Sequence, residues 1–216
     1  MMMRRNMLGI VLLCLLALTL VSPVEARENS RWDFTVYLDK KKIGRHSFEV
    51  TNDAGITQVR SNAKFRYNFL LIPAYRYDHN VAERWSGDCL LGLDANTVTN
   101  GDRIRVSGER NGDRFTVVSN EEAAELPECV MSFAYWNPDV LKQQQLLNPQ
   151  TGEYVPVQIE AVGEDRLEVR GELVSARRYR LRAYDLDLTL WYSEDDEWLG
   201  LQSVARNGRV VRYELS

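Results

Sequence analysis

The run Tyr75-Arg76-Tyr77-Asp78-His79-Asn80-Val81-Ala82-Glu83-Arg84-Trp85 decides the fold class. Tyr75, Tyr77, His79, Val81, Glu83 and Trp85 fall two apart, and Arg76, Asp78, Asn80, Ala82 and Arg84 fill the positions between them. A period of two is the spacing of a β-strand with one face buried. One face of this strand is aromatic and mixed, and the other is strongly polar.

The pattern continues outward in both directions. Upstream, an unalternating apolar bend, Leu70-Leu71-Ile72-Pro73, separates the run from a long strand with Val59, Ser61, Ala63, Phe65, Tyr67 and Phe69 on one face. Before the turn-rich Thr51–Gly55 segment, Trp32, Phe34, Val36 and Leu38 alternate with polar residues. They lead through Lys40-Lys41-Lys42 and Ile43-Gly44 to a return strand with His46, Phe48 and Val50. Downstream, Leu90–Thr99, Arg103–Arg110 and Arg114–Ser119 form a meander around Asn100-Gly101 and Asn111-Gly112, the dipeptide suited to tight hairpins. Tyr154–Val162, Arg166–Glu172, Tyr179–Tyr184 and Leu186–Tyr192 follow, with turns expected at Gly163 and around Ser193–Glu197. Asn207-Gly208 then joins Leu199–Arg206 to Val210–Leu215.

One segment reads as helical, with Asn137 at the cap, Pro138 at the first helical position and Asp139 in the first turn. It is expected to run from Pro138 to about Leu147 and to stop at Asn148-Pro149. About ten strands with one short helix predict a mainly β fold, a curved antiparallel sheet or partly open β-barrel.

The first residues carry an address. Arg4 and Arg5 precede a nearly unbroken apolar run, Leu8–Val21, then the break Ser22-Pro23 and Val24-Glu25-Ala26. This is the layout of a signal peptide, with cleavage expected after Ala26. The run is shorter than the roughly 20 apolar residues of a membrane span. Leu13 stands before Cys14 where a lipoprotein signal needs a small residue. Residues 27–216 then form a single mostly β domain in the periplasm or outside the cell, with no membrane span after cleavage.

Loss of Arg4, Arg5 and Glu25 makes that domain one charge more acidic than the −4 of the whole chain. Such a balance argues against nucleic acid as a partner. Cys89 and Cys129 remain in a compartment where disulfides persist, and one bridge between them is expected, against the alternative of two buried thiols. Neither cysteine has a neighbouring basic residue that would make it reactive.

Chemistry-bearing motifs are scarce. His46 and His79 are the only histidines, without metal-ligand spacing, and no metal or cofactor is expected. The acidic Glu194–Glu197 run reads as a solvated turn rather than a calcium loop. A glycosidase would draw a carboxylate pair from Asp78, Glu83, Asp185 and Asp187, a weak signal in a chain with 31 acids. No nucleophile elbow or phosphate loop is present. The aromatic residues on or beside the strands are more informative, because tyrosine and tryptophan line ligand clefts as well as filling cores.

Gly44-x-His46-x-Phe48-x-Val50, Tyr75-Arg76-Tyr77-x-His79-x-x-x-Glu83-x-Trp85, Cys89-Leu90, the Asn-Gly turn, Phe133-x-Tyr135-Trp136-Asn137-Pro138 and Leu190-Trp191-Tyr192 together resemble an uncharacterised family of exported bacterial proteins, domain of unknown function 6134. The resemblance spans nearly the whole mature chain and implies an envelope protein with a curved antiparallel sheet. Some such proteins cradle lipid or acyl chains. It carries no catalytic residues.

The resulting expectation is a periplasmic, non-enzymatic protein that binds a hydrophobic or amphipathic molecule such as a lipid. Tyr75, Tyr77, His79, Glu83, Trp85, Tyr135, Trp136 and Trp191 are the candidate ligand residues, with Glu83 orienting a polar head group or else pinning the sheet. The alternatives are a glycan- or lipid-acting enzyme using carboxylates such as Glu83 and Asp78, and an assembly partner of another envelope protein.

Overall fold

A computed structural model describes residues 29–69, 72–184, 186–204 and 208–216. The expected signal peptide, the Leu70-Leu71 part of the bend, Asp185 and Asn207 lie outside them. Among the described residues the chain forms β1 (Ser30–Leu38), β2 (Lys41–Asp53), β3 (Ile56–Phe69), β4 (Ile72–Ser86), β5 (Cys89–Thr99), β6 (Asp102–Asn111), β7 (Arg114–Ser119) and β8 (Glu122–Pro127). A 3₁₀ turn at Pro138–Lys142 follows, then β9 (Gln145–Leu147), β10 (Tyr154–Pro156), β11 (Gln158–Val169), β12 (Glu172–Ala183), β13 (Leu186–Tyr192), β14 (Trp198–Val204) and β15 (Val210–Leu215).

Thirteen of these strands make one antiparallel sheet in the order β11-β12-β13-β14-β15-β1-β2-β3-β4-β5-β6-β7-β8. It consists of two meanders, β1–β8 and β11–β15, joined where the first strand pairs with the last, Phe34 opposite Leu215 and Leu38 opposite Val211. The outer edges, β8 and β11, are mostly exposed and rich in acids. Pro127 ends one, and a bulge at Ala161/Gly163 interrupts the other. Charge, proline and bulges are the usual guards against edge-to-edge pairing.

The sheet curls around the connection between the two meanders. Val130, Met131, Ser132, Ala134 and Trp136 on that connection are all buried. Leu90 N–H donates to the Val130 carbonyl at 2.9 Å, and the Cys89–Cys129 disulfide fastens the start of the segment to β5. Farther on, the Ser132 hydroxyl donates to Glu83 on β4, and the Tyr192 hydroxyl on β13 donates to the Tyr135 carbonyl. Strands six places apart in the sheet thus meet the same short segment, which requires the sheet to close round it as an open, barrel-like wall. Phe34, Trp85, Leu90, Phe115, Leu181, Leu190, Tyr192 and Trp198, each almost wholly buried, pack the inner face.

Several local expectations are corrected. The helix is one turn of 3₁₀, Pro138–Lys142, not a helix to Leu147. Asn137 does cap it, accepting from Asp139 N–H at 3.0 Å, but Gln143 is already extended. Leu146 and Leu147 are instead drawn into β9. Leu147 N–H donates to Met131 at 2.8 Å and its carbonyl accepts from Phe133 N–H at 3.2 Å. Both leucines are fully buried there, and that burial outweighs helix propensities worth only tenths of a kcal/mol per residue.

Gly163 is a bulge inside β11 rather than a turn, and the turn falls at Arg170-Gly171, both with positive φ. Asn100-Gly101 has positive φ at both positions, as a type I′ turn demands. At the second dipeptide only Gly112 does, because Asn111 pairs with Arg114 and the loop is Gly112-Asp113. The fifteen strands exceed the roughly ten expected, and β8, β9 and β10 account for three of the difference because they are too short or too polar to show a clear alternation.

Candidate functional site

The alternation of the opening run becomes an aromatic wall. Tyr77, His79, Val81, Glu83 and Trp85 are buried on the inner face of β4, whereas Ala74, Arg76, Asn80, Ala82, Arg84 and Ser86 are exposed. Adjacent strands add to it in register. His46 on β2 lies opposite Ala63 on β3, and Ala63 opposite His79, so two imidazoles flank one small side chain. Phe65 stacks on Tyr77 with ring centres 5.2 Å apart, and Tyr75 stacks on Tyr77 at 6.3 Å. His46 stacks on Phe48 at 4.2 Å, and Tyr213 of β15 approaches His46 at 5.6 Å. Gly44 lets β2 and β3 come together at this point, since a Cβ there would overlap the Lys64 carbonyl.

Between this wall and an aliphatic one lies a cavity of about 420 Å³. Leu186 and Leu188 of β13, Leu201 and Ser203 of β14 and Val211 of β15 form the aliphatic side. The connecting segment, through Phe133, Ala134, Tyr135 and Trp136, and the Asn148-Pro149-Gln150 loop also border it. The size falls in the range of small-molecule sites. A larger depression of about 570 Å³ lies on the outer side of the sheet, where Arg84 and Glu109 pair at 2.7 Å beside Gly92. It is a solvated ion-pair surface.

Burial shifts the titratable groups at the cavity towards their neutral forms. Glu83 is 7% exposed. Its Oε1 accepts from Ser132 Oγ at 2.7 Å and its Oε2 from Trp85 Nε1 at 3.2 Å. Burial pushes its pKa up to about 7, although both hydrogen bonds pull the other way. His79 Nδ1 bonds the Thr97 hydroxyl at 2.8 Å, and burial lowers its pKa to about 4. His46 Nε2 bonds Ser61 Oγ at 2.7 Å. Burial and, secondarily, His79 lower its pKa to about 3. Burial also raises the tyrosines Tyr75, Tyr77, Tyr135 and Tyr213, so all four keep their protons.

Of the residues singled out from the sequence, Tyr75, Tyr77, His79, Glu83, Tyr135 and Trp136 border this one cavity. Trp85 lies outside its lining, fully buried and edge-on to Trp136 at 5.7 Å. Trp191 is not with them. It faces outward from β13, with its indole N–H on Asp165 at 2.8 Å. His46, Phe48, Phe65, Tyr213 and the aliphatic wall also border the cavity, and residue type alone does not single them out. Their strands carry the period-two signal, but only the β1–β15 pairing brings Val211 and Tyr213 beside β2.

Asp78 and Glu83 occupy opposite faces of β4, and Asp78 pairs outside with Arg66 at 2.6 Å, so they do not form a carboxylate pair. Asp187 pairs with Arg180 on the surface. Asp196 and Glu197 in the acidic turn pair with Arg177 and Arg170. Among the described residues no group of three His, Cys, Asp or Glu side chains is placed to hold a metal ion, and no helix is long and apolar enough to cross a membrane.

The family model described as Domain of unknown function (DUF6134) matches residues 34–216. The chain belongs to this family. No curated protein matches this DUF6134 chain. Among solved structures, it is similar to the crystal structure of a beta-barrel-like protein of Domain of Unknown Function DUF1849 from Brucella abortus. The TM-score is 0.62 at 9% identity, over 87% of this chain and 94% of that one. At that identity the likeness concerns the fold alone, and it agrees with the open barrel-like sheet of this DUF6134 member.

Proposed function

We propose that the protein is an exported carrier or receptor that holds an apolar or amphipathic molecule inside its curled sheet, without catalysing a reaction. The observation that carries this reading is the cavity of about 420 Å³ between the aromatic wall of β2–β4 and the aliphatic wall of β13–β15. That volume is in the range of small-molecule sites, and aromatic and aliphatic side chains make up most of its border. The Cys89–Cys129 disulfide and the signal-like leader both favour a life outside the cytoplasm.

Native mass spectrometry of the protein purified from the expressing cell's envelope, followed by solvent extraction, tests the reading. A co-purifying apolar mass that disappears in a cavity-filling Ser203→Trp variant is expected. A wild-type protein free of such a mass, under conditions that keep lipid on a known carrier, would refute it.

A further inference from the structure

We propose that the molecule held in this cavity is an uncharged amphiphile whose polar end accepts hydrogen bonds, as an ester or ketone carbonyl does. The inference rests on the cavity being the ligand site and specifies what that site admits.

The argument comes from the charge and hydrogen-bond inventory of the wall. Among the described residues that border the cavity there is no Lys, Arg or Asp. Glu83 is the one carboxyl, and each of its oxygens already accepts a hydrogen bond from the protein. Both ring nitrogens of His46 are engaged, by Ser61 and, at 3.4 Å, by the Tyr213 hydroxyl. Burial keeps His46 and His79 uncharged at neutral pH.

Residues of this wall also carry unused donors. The hydroxyls of Tyr75, Tyr77 and Tyr135 have no hydrogen-bond partner among the described residues. The indole N–H of Trp136, a residue only 8% exposed that borders both this cavity and the depression beside Trp32, has none either. A hydroxyl both donates and accepts, but an indole N–H only donates. An acceptor on the ligand would satisfy these spare donors, and the gain is largest for the buried Trp136 N–H, because a buried polar group without a partner is destabilising.

An anionic head group fits poorly, since nothing within the wall would balance its charge. A fatty acid would enter by taking up a proton. With an ordinary carboxyl pKa more than two units below neutrality, that step lowers its affinity by about a hundredfold at pH 7. A cationic head would find aromatic faces but no free carboxylate, since both Glu83 oxygens already accept hydrogen bonds and burial disfavours its charged form.

The test uses three probes with one chain length, monopalmitin, palmitate and hexadecylamine. Each is titrated below its micelle concentration into the full mature protein by calorimetry. Monopalmitin should bind about a hundredfold more tightly than palmitate at pH 7, and the gap should narrow about tenfold per unit as the pH is lowered towards 5. Palmitate or hexadecylamine binding as tightly as monopalmitin at pH 7 would overturn the inference and leave the cavity reading standing. If none of the three binds, the cavity reading falls, and this inference with it. Two filled variants, Ser203→Trp and Leu188→Trp, each checked for a cooperative unfolding transition, should abolish monopalmitin binding. Binding retained in both would place the probe elsewhere and overturn the inference.

Discussion

Replacing Glu83 with Gln should change how stability depends on pH in a direction opposite to that of most carboxylates. The folded protein raises the Glu83 pKa from 4.5 to about 7 by burying it. Between those values the folded state keeps the proton that the unfolded chain releases. The stabilisation is therefore fully present below pH 4.5 and is lost as the pH rises to 7. At about 1.4 kcal/mol per pKa unit, the ionised side chain costs roughly 3 kcal/mol above pH 7.

Glutamine is neutral at every pH and nearly isosteric. Its carbonyl can accept from Trp85 Nε1 while Ser132 turns its hydroxyl to accept from the amide, so any hydrogen-bond loss is small and independent of pH. The assay is urea unfolding followed by tryptophan fluorescence from pH 4.5 to 8, with the disulfide intact. The stability of Glu83→Gln minus that of wild type should rise by roughly 3 kcal/mol across that range, because all other titrating groups cancel in the difference. A difference flat to within about 0.5 kcal/mol, or one that falls with pH, would mean that the carboxylate is hydrated or favoured by its donors, and would refute the argument.

Three further outcomes follow. His79, held to about pKa 4 by burial, contributes stability above pH 6.5 that is lost as the pH falls towards 4; His79→Gln should remove roughly 3 kcal/mol of acid sensitivity in thermal or urea melts over that window. Breaking the disulfide with Cys89→Ser and Cys129→Ser together should lower stability by about 4 kcal/mol for a sequence separation of 40, measured as a shift in urea midpoint that wild type reproduces on reduction. Gly44→Ala, whose new methyl must displace the Lys64 carbonyl, should destabilise by about 1–3 kcal/mol, whereas alanine at Asn62, on the polar face of β3, should change stability by less than about 0.5 kcal/mol by the same melts.

Much of the wall was legible along the chain. The spacing of Tyr75, Tyr77, His79, Glu83 and Trp85 already assigned them to one face, because successive strand residues point to opposite sides whatever the neighbours are. The same rule put Asp78 on the other face from Glu83, so the glycosidase pairing could have been rejected from sequence parity alone. Trp191 suits a ligand site by residue type, yet it sits one residue out of phase with Leu188, Leu190 and Tyr192, and its strand's alternation marks it as outward.

Local pattern thus determined the fold class, the meanders, the Asn137 cap and the inner face of each strand, since these depend on residues a few positions apart. The tertiary structure alone decided that β1 would close against β15, that Leu146 and Leu147 would leave a helix for β9, and that Ser132 would reach Glu83. It also decided that a cavity would remain between the two walls. These features depend on the curvature of the sheet and on contacts between residues far apart in the chain, and no periodicity within a single strand encodes either.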